Sequence, residues 1–217
     1  MSEYIRGIAL ILEGATEKVF YKNYLEWLAE KNNCQFKRIV SKKDVDIFYE
    51  WKKGEETILI KFNVVGTITQ IVHSGKWFIN NCVKKEKIPW YVFLCYDVDS
   101  VEADISKFYV DDWKILREQI KRAKANDIID LAAKADIEDV MLMDLEGICR
   151  FLNTKTVNLD SLKGRKGKAK LKQLYRSCGQ TYHEGDRANS MIANLDFEKI
   201  VNLSPIQLNL LNKHILE

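Results

Sequence analysis

The sequence predicts an α/β protein with a largely parallel sheet, and three observations carry that prediction. Continuous apolar runs such as "IRGIALIL" and "WYVFLCY" read as strands covered on both faces. Segments with helical spacing of apolar residues alternate with them. Acidic residues stand directly after two of the runs, where strands of an open sheet end.

The elements follow in chain order. "IRGIALIL" is the first strand, and from Thr16 the positions Val19, Phe20, Tyr24, Leu25, Trp27 and Leu28 recur at helical spacing. Thr16 is the expected N-cap and Asn32-Asn33 the expected stop. "CQFKRIV" reads as a second strand, "TILIKFNVVG" as a third with a turn at Gly66, and "TQIVHSGKWFINNCVKK" as a helix. Pro89 introduces the strand "WYVFLCYDVDS". "DDWKILREQIKRAKA" is an amphipathic helix, "DIIDLAAKA" a short helix, and "EDVMLMD" a strand running into "LEGICRFLN". The last segment, "SPIQLNLLNKHIL", is a helix with Ser204 as cap and Pro205 in its first turn.

At 217 residues with 47% hydrophobic content, the chain suits one domain with a helical appendix. Residues 1–155 are the expected α/β domain and residues 156–217 a basic helical extension packed on it. Basic and acidic side chains number 34 and 31, a net +3, so any electrostatic signal has to be local. No apolar run approaches the ~18 residues that span a bilayer, and "MSEYIRG" does not resemble a signal peptide. No membrane partner is therefore expected. Cys34, Cys82, Cys95, Cys149 and Cys178 form no CxxC pair, which points to reduced thiols and a cytoplasmic location. His73, His183 and His214 are too scattered for a zinc site.

The acids at the strand ends are the chemical signal. Glu13-Gly14 follows the first strand, and Asp97 and Asp99 follow "WYVFLCY". A period of two lets Asp97 and Asp99 project to the same side. If the two strands are neighbours, three carboxylates converge, and a pair of unit charges about 4 Å apart repels by roughly 4 kcal/mol at an effective dielectric near 20. A hard divalent cation relieves that repulsion. The alternatives are a solvated strand-to-helix corner for Glu13-Gly14 and a helix cap for the D-x-D pair.

The wording "E-G-x-T-E" from Glu13 to Glu17, with "D-V-D-S" from Asp97 to Ser100, resembles the TOPRIM domain. "LEGATEKVFYKNYL" is most similar to small OLD-like and RloB-like proteins of prokaryotic defence systems. That resemblance implies a TOPRIM-like, Rossmann-like fold and a nuclease dependent on Mg²⁺ (or Mn²⁺), acting on DNA or RNA in anti-phage defence. It makes Glu13 the general acid/base, Asp97 and Asp99 metal ligands, and Glu17 a ligand of a second metal. "MLMDLEGICRFL" is a looser match whose acid is Glu146, with a helix-start carboxylate as the alternative.

Residues 163–176, "KGRKGKAKLKQLYR", hold Lys163, Arg165, Lys166, Lys168, Lys170, Lys172 and Arg176 and no acid. Such a run invites phosphates, or it is a solvated helix face. The resemblance adds that Lys168 or Lys170 stabilises developing phosphate charge. "TYHEGDRA", with Tyr182, His183, Glu184 and Arg187 around Gly185, reads as a helix-entry turn with Asp186 as cap or else as a polar loop that contacts substrate, and His73 as a structural or surface residue. Competing with the nuclease are a non-catalytic nucleic-acid-binding or defence-complex subunit and, fitting worse, a response-regulator-like domain. No G-x-x-x-x-G-K-[ST] loop is present, which leaves room for a separately encoded ATPase partner. No sequence pattern fixes an oligomeric state.

Overall fold

The computed structural model describes residues 3–40, 47–66, 73–97, 112–133, 135–164, 166–204 and 206–217. Its centre is a six-stranded mixed sheet in the order β2-β3-β4-β1-β5-β6. The strands are β1 (Arg6–Leu12), β2 (Gln35–Val40), β3 (Ile47–Lys53), β4 (Glu56–Val64), β5 (Trp90–Asp97) and β6 (Asp127–Ala133). β1 runs parallel to β4 and β5, and β5 parallel to β6. β2-β3 and β3-β4 are antiparallel, so the parallel character holds for only one part of the sheet.

β1 is fully apolar because it is central and covered twice. Ile8, Leu10 and Leu12 face a core shared with α1 (Ala15–Lys31) and the C-terminal helices. Ala9 and Ile11 face a second core with α2 (His73–Phe78) and α3 (Asp112–Arg122). Within α1, Val19, Phe20, Tyr24, Leu25 and Leu28 are buried, each worth ~1.5–3 kcal/mol over exposure. The helix stops at Asn32, whose amide donates to the Leu28 carbonyl at 2.8 Å, and Asn33 adopts φ 53°.

Beyond β6 lie α4 (Ile137–Met141), α5 (Leu145–Phe151), α6 (Gly167–Ser177), α7 (Asn189–Ile192), α8 (Phe197–Leu203) and α9 (Leu208–Leu216). Leu171, Leu174, Met191, Ile200, Leu211 and Ile215 belong to the same core as β1 and α1. The C-terminal segment thus completes one face of the sheet.

Five local expectations are corrected. "DIIDLAAKA" is a strand, β6: its inward residues Ile129, Leu131 and Ala133 alternate at period two, which the short apolar cluster disguised. "EDVMLMD" is helical, because Asp136 N-caps α4 and its Oδ1 accepts the Asp139 N–H at 2.9 Å. β3 was not anticipated at all; its "IFYEWKK" alternates aromatics, with Tyr49 and Trp51 buried. The N-cap of α1 is Gly14 rather than Thr16, and Thr16 Oγ1 instead accepts the Gly185 N–H at 3.0 Å. α9 starts at Leu208 with Gln207 as N-cap, and Ser204 instead ends α8, its Oγ accepting the Ile206 N–H at 3.0 Å. α2 passes directly into a π-type turn at Ile79–Val83. No described helix is long and apolar enough to cross a membrane.

Candidate functional site

The topology opens a crevice where β1 and β5 end. α1, which follows β1, packs on one face of the sheet, and α3, which follows β5, on the other. The helices that follow these two adjacent strands thus cover opposite faces of the sheet, a geometry that places ligand sites at strand carboxyl ends. A cleft of ≈ 540 Å³ lies there, within the range of small-molecule sites.

Glu13 is held in this cleft by main-chain bonds from both neighbouring strands. Its N–H donates to the Cys95 carbonyl at 3.0 Å, and its carbonyl accepts the Gly66 N–H at 2.8 Å. Its side-chain Oε2 accepts the Asp97 N–H at 3.0 Å, tying the ends of β1 and β5 together. Glu17 lies in the first turn of α1 and is only 6% exposed. A Cβ on Gly14 would stand 2.7 Å from Glu17 Oε2, so glycine is what lets this carboxyl lie against the helix start.

α4 and α6 form the opposite wall. Asp136 Oδ2 accepts the Lys168 N–H at 3.1 Å, so one carboxylate caps α4 and also anchors the start of α6. Gly167 permits this approach, since a Cβ there would lie 2.1 Å from the Asp139 nitrogen. Glu138 is buried and accepts the Tyr182 hydroxyl at 2.9 Å. At the rim, Lys168 Nζ stands 2.6 Å and Lys172 Nζ 3.5 Å from the Glu184 carboxylate.

Six carboxyl groups and two ammonium groups line the cleft. Burial, with Glu17 and Glu13 close by, pushes Asp97 up to about 9. Burial likewise pushes Glu17 to about 7, and burial with Asp136 alongside pushes Glu138 to about 7. Asp136 is raised too, by burial first. Its hydrogen bond to Glu184 raises Lys168. Asp97 Oδ1 is buried without a hydrogen-bond partner. The cleft therefore stores protons at neutral pH, because the low-dielectric wall disfavours so many like charges.

The structure brings Glu13, Glu17, Asp97 and Lys168 together, and Lys166 lines the same cleft. Asp99 and Arg165 lie outside the described residues. Glu146 is elsewhere, exposed on α5 and paired with Lys199 at 3.0 Å. Lys170 is 4.0 Å from Asp139. Lys163 and Arg176 are exposed and do not line the cleft. Much of the basic run is thus turned onto carboxylates of the same chain. His73 opens α2 and is exposed, while Glu184, not Asp186, precedes the 3-10 turn at Gly185–Ala188.

Asp136 and Glu138 escaped the sequence reading, whereas Glu184 and Gly185 belong to the polar loop it offered as a substrate contact or a helix-entry turn. The "D-x-E-D" spacing from Asp136 to Asp139 is a helix-start signature that marks the first two. No local pattern marks Glu184, whose role exists only through α6.

No protein-family model matches this sequence, and no curated protein matches it. Among solved structures it is similar to a futalosine hydrolase mutant of Helicobacter pylori, at 9% identity and TM-score 0.26, covering 93% of this chain and 99% of that one. It is also similar to the 5'-methylthioadenosine/S-adenosyl homocysteine nucleosidase of Campylobacter jejuni, at 13% identity and TM-score 0.28, covering 95% and 97%. The nucleosidase of Helicobacter pylori matches at 8% identity and TM-score 0.26, covering 90% and 99%. These neighbours are not TOPRIM proteins. The TOPRIM, OLD-like and RloB-like resemblance is withdrawn on that finding, and with it the metal-dependent nuclease, the defence-complex subunit and the anti-phage role. The physical reason is that "E-G-x-T-E" and "D-V-D-S" are short strand-end patterns, which many parallel strands opening into a helix or loop satisfy. Likenesses this weak carry no activity across to this chain either.

Proposed function

We propose that the protein is a hydrolase whose acid–base centre is the cleft at the ends of β1 and β5. The observation that supports this reading is Asp97, a strand-end carboxyl enclosed beside Glu13 and Glu17 and raised to about 9. A group of that proton affinity is protonated at neutral pH and can donate to a leaving group. Glu17, raised to about 7, is partly ionised at the same pH and can take a proton from water. Two carboxyl groups with proton affinities pushed apart in one cleft make the pairing that general acid–base hydrolysis requires. Glu13 orients the pair by accepting the Asp97 N–H. Five cysteines, none in a disulfide, support a reducing cytoplasmic setting.

The orphaned Asp97 Oδ1 favours a second reading, in which Mg²⁺ or Mn²⁺ takes the place of the protons. The donors Glu13, Glu17 and Asp97 are hard oxygens suited to either ion. Among the described residues, however, no three His, Cys, Asp or Glu side chains stand close enough to hold an ion, so they would have to draw together. A bound cation would supply charge compensation for the carboxylates.

One experiment tests both readings. The protein is assayed against a panel of small phosphate esters, N-glycosides and amides, with MgCl2, MnCl2 or EDTA, beside Asp97→Asn. Turnover that survives EDTA and drops about 10²–10⁴-fold in Asp97→Asn supports the acid–base centre. Turnover abolished by EDTA favours the cation. Full turnover in Asp97→Asn removes the cleft from the chemistry.

A further inference from the structure

The turn carrying Glu184 and Gly185 crosses the rim of the cleft and is pinned at both ends. On the α6 side, Glu184 is gripped by Lys168 at 2.6 Å and Lys172 at 3.5 Å, two ammonium groups one helical turn apart. On the α1 side, Gly185 donates its N–H to Thr16 at 3.0 Å, and Thr16 is 6% exposed. Gly185 holds φ 67° and sits close over Ala15, where its Cβ position would be 3.3 Å from the Ala15 Cβ. The turn is therefore a strap joining the two walls, and its charged end is half-exposed.

We propose that Glu184 occupies the place of a substrate phosphate: the lysine pair Lys168 and Lys172 recognises the terminal phosphate of a small phosphorylated substrate, which enters by displacing Glu184. The proposal rests on the hydrolase reading of the same cleft and names its substrate class. The carboxylate oxygens of Glu184 already satisfy the two ammonium groups in the geometry an incoming oxyanion would adopt. Being tethered, Glu184 competes at an effective concentration of order millimolar. A ligand carrying one carboxylate has no electrostatic advantage over it. A phosphate monoester carries about −1.5 to −2 charges at pH 7 and three acceptor oxygens, so it outcompetes a single carboxylate for two lysines. The half-exposed pair costs little to break, which suits a contact that has to exchange. Glu17 and Glu138, partly ionised at neutral pH, repel a phosphate deeper in the cleft, so the anion stays at the rim with its ester group directed inward, toward Asp97.

The test is a calorimetric titration of the full chain with inorganic phosphate, with acetate as the monocarboxylate control. Wild type is expected to bind phosphate and not acetate. Glu184→Gln, which removes the internal competitor, is expected to bind phosphate about fivefold more tightly, the gain a half-exposed ion pair allows. Asp186→Asn removes the same charge two residues away and is expected to leave affinity unchanged. Lys168→Met/Lys172→Met is expected to lose binding. Equal gains in Glu184→Gln and Asp186→Asn, no gain in either, or binding retained without the lysines would each overturn the proposal. Carbon-13 NMR of the wild-type Glu184 carboxyl needs no variant: phosphate should shift its resonance, and an unmoved resonance at saturation overturns displacement. None of these readouts depends on turnover, so phosphate binding without hydrolysis would sink only the hydrolase reading.

Discussion

Glu17 and Glu184 face the same cleft from opposite walls and behave as different chemical groups. Glu17 is 6% exposed on the sheet side, and burial, with Glu13 adding to it, lifts it to about 7. Glu184 has 43% of its side chain exposed. Partial burial raises it, but the Lys168 hydrogen bond and the Lys172 charge outweigh that and leave it below the ordinary value. One wall has carboxyls whose neighbours are mostly other carboxyls, so it collects protons. On the other, Glu184 at the rim is matched to lysines and stays ionised, while Asp136 and Glu138 deeper in are raised by burial. Depth in the cleft and pairing with lysine, not residue type, set the proton inventory.

The largest expected effect comes from breaking the sheet wall. Glu17→Gln should lower turnover by about 10²–10⁴-fold, and adding Asp97→Asn should cost little more, because groups that act as a unit are not additive. Single and double variants measured under saturating substrate would show it. Fully multiplicative losses would mean that the two carboxyls serve separate steps.

Stability should respond next. Folded Asp97, Glu17 and Glu138 hold protons at about 9, 7 and 7, above their ordinary unfolded values near 4. The folded state then binds more protons than the unfolded state between those limits. Their contribution is complete below about pH 4 and is lost as pH rises through 7 and towards 9. Urea denaturation at pH 5, 7 and 9 should show falling stability. Asp97→Asn, a neutral mimic of the protonated acid, should flatten the upper part of that decline. A wild-type curve that rises between pH 7 and 9 would contradict the buried-proton picture of this cleft.

The smallest effect sharpens the contrast from outside the cleft. Glu146 is solvent-facing on α5, and its pKa is lowered by the hydrogen bond and charge of Lys199. Glu146→Gln should leave turnover, cation response and the pH profile unchanged in side-by-side assays. A clear loss would mean that a carboxyl outside the cleft still governs it.

Much of this was legible along the chain. "IRGIALIL" and "WYVFLCY" announce doubly covered strands, and Glu13 and Asp97 stand where those strands must end. Spacing alone did not separate "DIIDLAA" from a short helix or "EDVMLMD" from a strand, since each offers too few apolar residues to reveal a period. The TOPRIM resemblance failed for a related reason: a few residues at a strand end specify a corner, while a family is specified by how all the corners are connected.

The sequence by itself determined the layered α/β class, the apolar centre of the sheet and the two acids at its edge, because hydrophobic period and strand length are local properties. Only the tertiary structure decided that β1 and β5 are neighbours and that Asp136 caps two helices at once. It alone brought Lys168 and Lys172, 155 or more positions after Glu13 in the chain, to Glu184 at the rim of the cleft holding that acid. The basic run looked unneutralised in the sequence because its partners lie outside it. Coulombic pairing acts through space, and the chain path that closes those distances is written in the packing of the whole core.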